Sequence, residues 1–382
     1  MIIRHSEKEL IALSKQFKAV AVTGPRQSGK TTLVKKVFPD KPYVNLENPD
    51  TRRFAIEDPR GFLNSYPEGV ILDEVQRVPD IFSYLQQMLD ESKQKGKFIL
   101  TGSNNFLLQE NISQSLAGRV AYLFLLPLSY GEIGDYSNIN GLLLKGCYPA
   151  IYSSDTNHLK FYQNYIRTYV ERDVRLIRNI SDLYTFEKFL HLLAGRTGQL
   201  LNMSSLSNDV GVDVKTIGSW INVLETSFIV FRLRPYHENF NKRVVKMPKL
   251  YFCDTGLACR LLGIENETQL ATHPLRGSLF ENAVVIDFLK RRYNAGKESN
   301  LYFWRDNTGN EIDMLLVNID KKTPVEIKSS QTISGDFFKG IQFWNKLSDS
   351  EGGYIVYGGD TMQKRSNGIT AIPFQKMGEI DE

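Results

Sequence analysis

Along residues 1 to about 155, short apolar runs alternate with amphipathic stretches. The runs are Ala19–Thr23, Tyr43–Leu46, Val70–Leu72, Phe98–Leu100 and Ala121–Leu125, with segments such as PDIFSYLQQMLDESKQ between them. Short apolar runs bounded by polar turns read as buried strands, and a 3.6-residue apolar spacing reads as helix. Strand and helix in alternation predict a parallel sheet covered on both faces. From about 156 to 275 the spacing becomes mainly helical, as in FYQNYIRTYVERDVRLIRN and FEKFLHLLAGRTG. The last hundred residues return to strands in NLYFWRD, EIDMLLVN, TPVEIKSS and GGYIVYGG, behind a helix LFENAVVIDFLKRRY. Three units are expected: an α/β domain at 1–155, a helical domain at 156–275 and a second α/β domain at 276–382.

Composition narrows the classes. The 382 residues suffice for two or three domains at roughly 100–200 residues each, and 42% apolar residues supply real cores. No apolar run approaches the ~20 residues of a membrane-spanning helix. The opening MIIRHSEKELIALSKQFK lacks the uninterrupted apolar stretch and cleavage site of a secretory signal. The chain therefore reads as cytoplasmic, without a membrane partner. Cys147, Cys253 and Cys259 are too few and too irregularly spaced for a disulfide framework or a zinc site, and read as buried thiols. The five histidines form no HExxH pair. A net charge of +4 is small for this length, so nucleic-acid contact has to be argued locally.

The first apolar run leads into VAVTGPRQSGKTTLVKK. Gly24-Pro25-Arg26-Gln27-Ser28-Gly29-Lys30-Thr31 fits G-x4-G-K-[ST] and stands where that motif must, after a strand and before a helix. Backbone N–H groups of such a loop, with the positive end of the helix, surround phosphate oxygens. Lys30 then reaches the β and γ phosphates and Thr31 places its hydroxyl on Mg²⁺, with Thr32 continuing the nucleotide-binding stretch. The strand GVILDEV ends in Asp73-Glu74, the Walker B pattern: Asp73 in the Mg²⁺ shell, Glu74 polarising the attacking water. An acidic pair after a strand is often only a helix N-terminus; joined to the loop upstream, it predicts hydrolysis of ATP. Glu74 also sets the chain apart from small-molecule kinases with a P-loop, which need no carboxylate poised against water.

A third strand, KFILTGSNN, delivers Thr101, Ser103 and Asn104 at its end, where ligands gather in open α/β sheets. One of them senses the γ-phosphate, Ser103 being the candidate, or all three form a polar turn. Arg119, in SLAGRV, either supplies positive charge to the transferring phosphoryl group or is a charge at a helix C-terminus.

With GPRQSGKTTL, LDEVQ, TGSN and LAGRV…LPLSYGEI in place, the chain resembles a prokaryotic family of AAA-type ATPases close to the STAND group. The resemblance continues through YVERDV, LLAGRTGQLLNMSSLSNDVGVDVKTIGSWINVLETSFIVFRLRPY, KRVVKMPKLYFCDTGLACRLLG and RGSLFENAVV, and so covers nearly the whole chain. It implies ATP binding and hydrolysis in the cytoplasm, and a C-terminal domain of unassigned function. AAA-type sites commonly borrow an arginine from a neighbour, which makes a homo-oligomer plausible and leaves open whether Arg119 acts in cis or in trans.

In the middle segment, MSSLSNDVGVDVKTIGSWINVLETSFIV reads as a helix, a turn at Gly211 and a second helix from about Lys215 to Thr226, with a strand-like tail suggesting a winged form. Residues 232–249 hold Arg232, Arg234, Lys242, Arg243, Lys246 and Lys249 against one acid, Glu238. Such a patch favours phosphate contact, so residues 204–249 are a candidate DNA-binding region. A helical spacer packed against the ATPase is the alternative, since the second helix offers few base-reading side chains beyond Lys215 and Asn222. CDTGLACRLLG reads as a capped helix, with Asp254 at the N-cap and Gly263 past the end.

In the last unit the hairpin LYFWRDNTGNEIDMLLV turns at Thr308-Gly309-Asn310 and carries Asp313. In VEIKSS, Glu326 and Lys328 are two residues apart and share a strand face. This D-x12-E-x-K set is the PD-(D/E)xK nuclease pattern. Asp313 and Glu326 offer hard oxygens to Mg²⁺, and Lys328 stabilises or deprotonates a metal-bound water that attacks a phosphodiester. Glu281, on the preceding helix, matches the acid many such domains add, and Gln331 is a further support. Ile312 stands where the pattern has its first residue. Alone, E-x-K on a strand is usually a solvated face; the helix-hairpin-strand order favours the nuclease-like fold over active cleavage.

Two function classes follow. In one, ATP hydrolysis is coupled to nucleic-acid binding or cleavage by the C-terminal domain. In the other, the protein is an ATP-gated signalling switch whose nuclease-like domain is an inactive scaffold. A DNA-binding regulator without meaningful hydrolysis is disfavoured by Glu74.

Overall fold

The apolar runs of the first unit become five strands in the computed structural model, which describes residues 2–102, 116–134, 137–154, 156–170, 182–238 and 244–380. They are β1 (Ala19–Thr23), β2 (Tyr43–Asn45), β3 (Val70–Asp73), β4 (Phe98–Gly102) and β5 (Val120–Phe124), all parallel, in the order β2-β3-β4-β1-β5. The pleat sends successive side chains to opposite faces. Ala19, Ala21, Leu72 and Leu100 join Leu63, Leu85 and Leu89 of the helices Pro59–Asn64 and Ile81–Glu91. Val20, Val22, Ile71 and Ile99 join Leu10, Leu33 and Val34 of Glu7–Gln16 and Lys30–Val37. Burial on both faces is why these runs are continuously apolar instead of alternating.

The helical pair of the middle segment is Met203–Val210 and Val214–Thr226. Gly211, at φ 92°, ends the first helix in the left-handed region, and the Asp213 carboxylate accepts the Thr216 N–H at 2.9 Å to start the second. Trp220 packs against Phe186 and Phe189 of the helix Leu183–Ala194. A hairpin of β6 (Val230–Pro235) and β7 (Lys249–Phe252) follows.

That hairpin is not a free wing. β6 also pairs, in parallel, with β8 (Leu301–Arg305), so the middle segment's strands complete the C-terminal sheet. With β9 (Glu311–Val317), β10 (Lys322–Lys328), β11 (Gly353–Tyr357), β12 (Gln363–Lys364) and β13 (Ile369–Pro373), the order is β12-β13-β11-β10-β9-β8-β6-β7. The helix Arg276–Asn294 covers one face and Lys339–Ser348 the other.

Two irregularities shape the C-terminal centre. Tyr302 faces Leu315 and Trp304 faces Ile312, so β9 carries one extra residue between Ile312 and Leu315. Such a bulge re-aims the side chain it contains, which includes Asp313. β9 and β10 pair only as far as Met314 with Val325, and beyond that they part. In the resulting fork the Ile327 N–H donates to the Asp313 carboxylate at 2.8 Å. Among the described residues no helix is long and apolar enough to cross a membrane.

Candidate functional site

The loop after β1 is shaped by its glycines. The Leu125 N–H donates to the Thr23 carbonyl, and the Leu125 carbonyl oxygen lies 2.1 Å from where a Cβ at position 24 would stand. Only glycine fits there. Gly29, at φ 93°, turns the chain into the helix Lys30–Val37. Between them Pro25 and Ser28 are buried, Arg26 is half-buried within 3.9 Å of Glu47, and Gln27 is exposed at φ 61°. Lys30 is buried, its Nζ donating to the carbonyls of Gly24 (3.0 Å) and Pro25 (2.8 Å). Thr32 is exposed on the helix.

β3 delivers Asp73 beside this loop. Its Oδ2 accepts from Thr31 Oγ1 at 2.9 Å and from the Tyr43 hydroxyl at 2.6 Å, and its Oδ1 accepts from Thr101. Burial, reinforced by the Asp73 carboxylate, pushes the Tyr43 phenol well above its ordinary range, so Tyr43 remains a donor. Glu74 follows at φ 55°, an unfavourable left-handed conformation for a non-glycine residue and one that clusters at functional sites. Gln76 Nε2 donates to Glu74 Oε2 at 2.5 Å. A threonine hydroxyl and a carboxylate held together are hard oxygens of the kind Mg²⁺ takes, and they fit that ion. Ser103 and Asn104 lie outside the described residues.

Arg119 departs from the phosphate-facing role in cis. β5 runs parallel to β1 with Val120 opposite Ala19, so Arg119 stands where the strands begin. The loop follows their other end, about 13 Å away at 3.3 Å per residue. Its guanidinium pairs with both oxygens of Asp90.

Sequence reasoning missed the support behind the loop. The Arg4 guanidinium donates to the Ser28 carbonyl (2.6 Å), the Leu126 carbonyl (2.8 Å) and Glu132 (3.0 Å). Burial works against the Glu132 charge, but Arg4 and the N–H groups of Ser129 and His5 hold its pKa below the usual 4.5. Glu132 lies in LPLSYGEI, which supplied a resemblance and no role. The next contacts lead to the C-terminal unit: the Tyr130 N–H donates to Asp287 at 2.7 Å, and Lys290 to the Leu128 carbonyl at 3.0 Å. Asp287 and Lys290 belong to the helix Arg276–Asn294, which also carries Glu281.

The fork of β9 and β10 brings Asp313, Glu326, Lys328 and Glu281 together. Lys328 Nζ is 2.9 Å from Asp313 and 2.7 Å from Glu326. A second lysine, Lys249, has its ammonium 3.0 Å from Glu281, 2.5 Å from Glu311 and 4.0 Å from Asp313. Its residue is only 3% exposed, so it leaves the surface patch in which its sequence neighbours placed it. Burial opposes the Lys249 charge, yet Tyr251, Glu281, Asp313 and Glu311 raise its pKa well above the ordinary value. Burial opposes the Asp313 charge too, but Lys328, Lys249 and the Ile327 N–H hold it low. Burial and Asp313 push Glu326 well above its usual range, against Lys328. Among the described residues no group of three or more metal-ligating side chains is arranged to hold a metal ion. The carboxylates suit a cation chemically, but an ammonium lies between them, and a divalent ion does not fit this arrangement. Gln331 is elsewhere, exposed and lining a polar cavity with Asn138 and Arg276.

In the middle segment the Arg232 guanidinium pairs with Glu225 and donates to Asn222 Oδ1 at 3.0 Å. Lys242 and Arg243 lie outside the described residues. Asp254 caps the helix Thr255–Leu261 by accepting the Leu257 N–H at 3.0 Å, and also accepts from Cys147 N–H and Tyr162. Its part is structural, and the three cysteines are free and buried.

Residues 16–134 match the AAA domain family. Residues 136–268 and 276–377 each match a family described as a domain of unknown function, DUF8612 and DUF4143. The "uncharacterized protein Rv2008c" of Mycobacterium tuberculosis is 31% identical over 373 residues, covering 95% of this chain and 82% of its own. The chain belongs to the Rv2008c family. Another relative of this Rv2008c-family protein, MJ1544 of Methanocaldococcus jannaschii, is 23% identical, with 80% and 73% covered. Among solved structures, a Walker-type ATPase of Pyrococcus abyssi is 14% identical with a TM-score of 0.45, covering 67% of this chain and 94% of its own. A STAND protein with a tetratricopeptide repeat sensor from Pyrococcus horikoshii is 13% identical with a TM-score of 0.24, covering 78% and 48%.

Proposed function

We propose that the protein is an Mg²⁺-dependent ATPase whose nucleotide state is transmitted to the C-terminal centre. The observation that carries the reading is the Thr31–Asp73 hydrogen bond at 2.9 Å beside a loop whose lysine is buried at its base. Backbone N–H groups from Gly24 to Thr32 and the helix N-terminus receive the phosphates, and Lys30 exchanges its two carbonyl partners for phosphate oxygens. Thr31 and Asp73 hold Mg²⁺, which when bound supplies polarisation of the phosphoryl oxygens. Glu74, oriented by Gln76, holds the attacking water and accepts its proton. Glu74→Gln tests this: steady-state turnover should fail while a fluorescent ATP analogue still binds. Unchanged turnover would remove Glu74 from the mechanism.

Transmission is supported by continuity. A change at the Ser28 carbonyl is felt by Arg4, then by the segment Leu126–Glu132, and through Tyr130 and Leu128 by the helix that carries Glu281. From Asp287 to Glu281 is about 9 Å along that helix, at 1.5 Å per residue. Hydrogen exchange of residues 276–294 should respond to ATP in the natural protein and lose that response in Asp287→Ala.

For the C-terminal centre, Lys249 among the carboxylates favours the scaffold reading over metal-dependent cleavage. Incubation with linear, supercoiled and single-stranded DNA and with RNA, in Mg²⁺ or Mn²⁺, should leave every substrate intact while ATP turns over. Cleavage that disappears in Lys328→Ala would restore the nuclease reading.

A further inference from the structure

A groove of about 580 Å³ runs along β6, lined by Arg232, Arg234, Tyr236, His237, Lys246 and Tyr302 among others. We propose that it binds single-stranded nucleic acid, the phosphates on Arg234 and Lys246 and a base against Tyr302 and Tyr236.

The charge balance favours a polyanion. Arg234 and Lys246 are exposed, and among the described residues neither side chain makes a hydrogen bond or an ion pair. The acids nearby are already neutralised: Glu225 by Arg232, and Glu238 by Lys322. What remains facing solvent is positive. Arg234 lies on the same face of β6 as Arg232, about 6.6 Å away at 3.3 Å per residue; with Arg232 paired to Glu225, the groove's net positive charge is that of Arg234 and Lys246.

The rings select a single strand. Arg234 stands opposite Tyr302 in the β6–β8 register, so a cation and an aromatic ring are neighbours across two strands. Tyr236 meets Tyr302 edge to face at 5.7 Å. A basic groove with aromatic platforms is how unpaired strands are held, because every base offers a stacking face. A cleft within the ~300–1,000 Å³ range of small-ligand pockets admits a nucleotide-sized unit. The groove stands apart from the nucleotide loop, and the inference does not depend on ATP hydrolysis.

The test is fluorescence anisotropy of the full chain with a labelled 20-nucleotide single strand, as DNA and as RNA, and with a duplex of the same length, over a salt series. Single strands should bind more tightly than the duplex. Arg234→Glu with Lys246→Glu should weaken binding at least tenfold and flatten the log–log salt slope by about 1.4, at roughly 0.7 for each phosphate no longer neutralised. Tyr302→Leu should weaken binding about 5- to 150-fold with the slope unchanged, as for a missing stacking partner. An unfolding midpoint and a near-ultraviolet circular dichroism spectrum equal to those of the natural protein establish that each variant is folded. Tighter binding to the duplex, no binding of single strands, or affinity that survives the double reversal would overturn the proposal.

Discussion

The nucleotide loop and the C-terminal centre both contain lysine and carboxylate, and they arrange them oppositely. At the loop Lys30 rests on backbone carbonyls, while Asp73 is held by the hydroxyls of Thr31, Tyr43 and Thr101. In the fork of β9 and β10 two ammonium groups lie among Glu281, Glu311, Asp313 and Glu326. Hydroxyls satisfy a carboxylate's lone pairs without cancelling its charge, so Asp73 keeps its attraction for a divalent ion. An ammonium offsets that charge, and burial with Asp313 drives Glu326 toward its neutral form. Acidic clusters with similar residue types can therefore be a metal site or a finished ionic core, depending on what partners the carboxylates.

The largest effect that would break this comparison is at Glu74. Glu74→Gln should lower turnover by about 10²- to 10⁴-fold, the range for a positioned general base, with ATP binding retained. Next comes Lys249. Lys249→Met leaves buried carboxylates without their cation and should cost about 3–5 kcal/mol in urea unfolding, the range for breaking a buried pair. Mn²⁺ should then restore part of the loss in the variant and leave the natural protein unchanged. A rise in natural-protein stability with Mn²⁺ would show that the centre takes a metal beside Lys249, and the contrast with Asp73 would fall.

Local features of the site were legible because they are written locally. The glycines of the loop, the Asp73-Glu74 strand end and the two-residue spacing of Glu326 and Lys328 each follow from the period or the turn chemistry of one element. What escaped depends on contacts far apart in sequence. Arg4 and Glu132 meet across 128 positions, and β6 pairs with β8 across a segment containing three helices. Lys249 shows the same limit from the other side. A count of charges along 232–249 put it on a basic surface, whereas its position on β7, facing the helix Arg276–Asn294, put it in the core.

A smaller effect sharpens the comparison through pH. The Glu132 pKa is lowered in the folded chain, so its contribution to stability is full above the usual 4.5 and is lost as pH falls through the lower folded value. Glu326 has the opposite sign. Its raised pKa contributes stability below 4.5 that is lost as pH rises through the folded value. Glu326→Gln, which fixes the neutral form, should leave stability at pH 7 unchanged or higher, while Glu132→Gln lowers it and removes the acid-side loss. Unfolding midpoints from pH 4 to 8 for both variants check the two slopes, and equal slopes would mean that Lys328 keeps Glu326 ionised.

The smallest effect is expected at Arg119, and it tests the geometry of the loop itself. The β1–β5 register places this guanidinium at the edge where the strands begin, paired with Asp90 in solvent, a full strand length from the phosphate loop. Exposed pairs of this kind contribute little to folding. Arg119→Ala should therefore match the natural protein in melting, and in ATP turnover at a concentration where sedimentation shows a single chain. A fall in turnover under that condition would mean that Arg119 reaches its own loop, against the register. A fall confined to higher concentration, where copies associate, would instead place the arginine at a neighbour's loop, and Asp90 would then be the partner it leaves to get there.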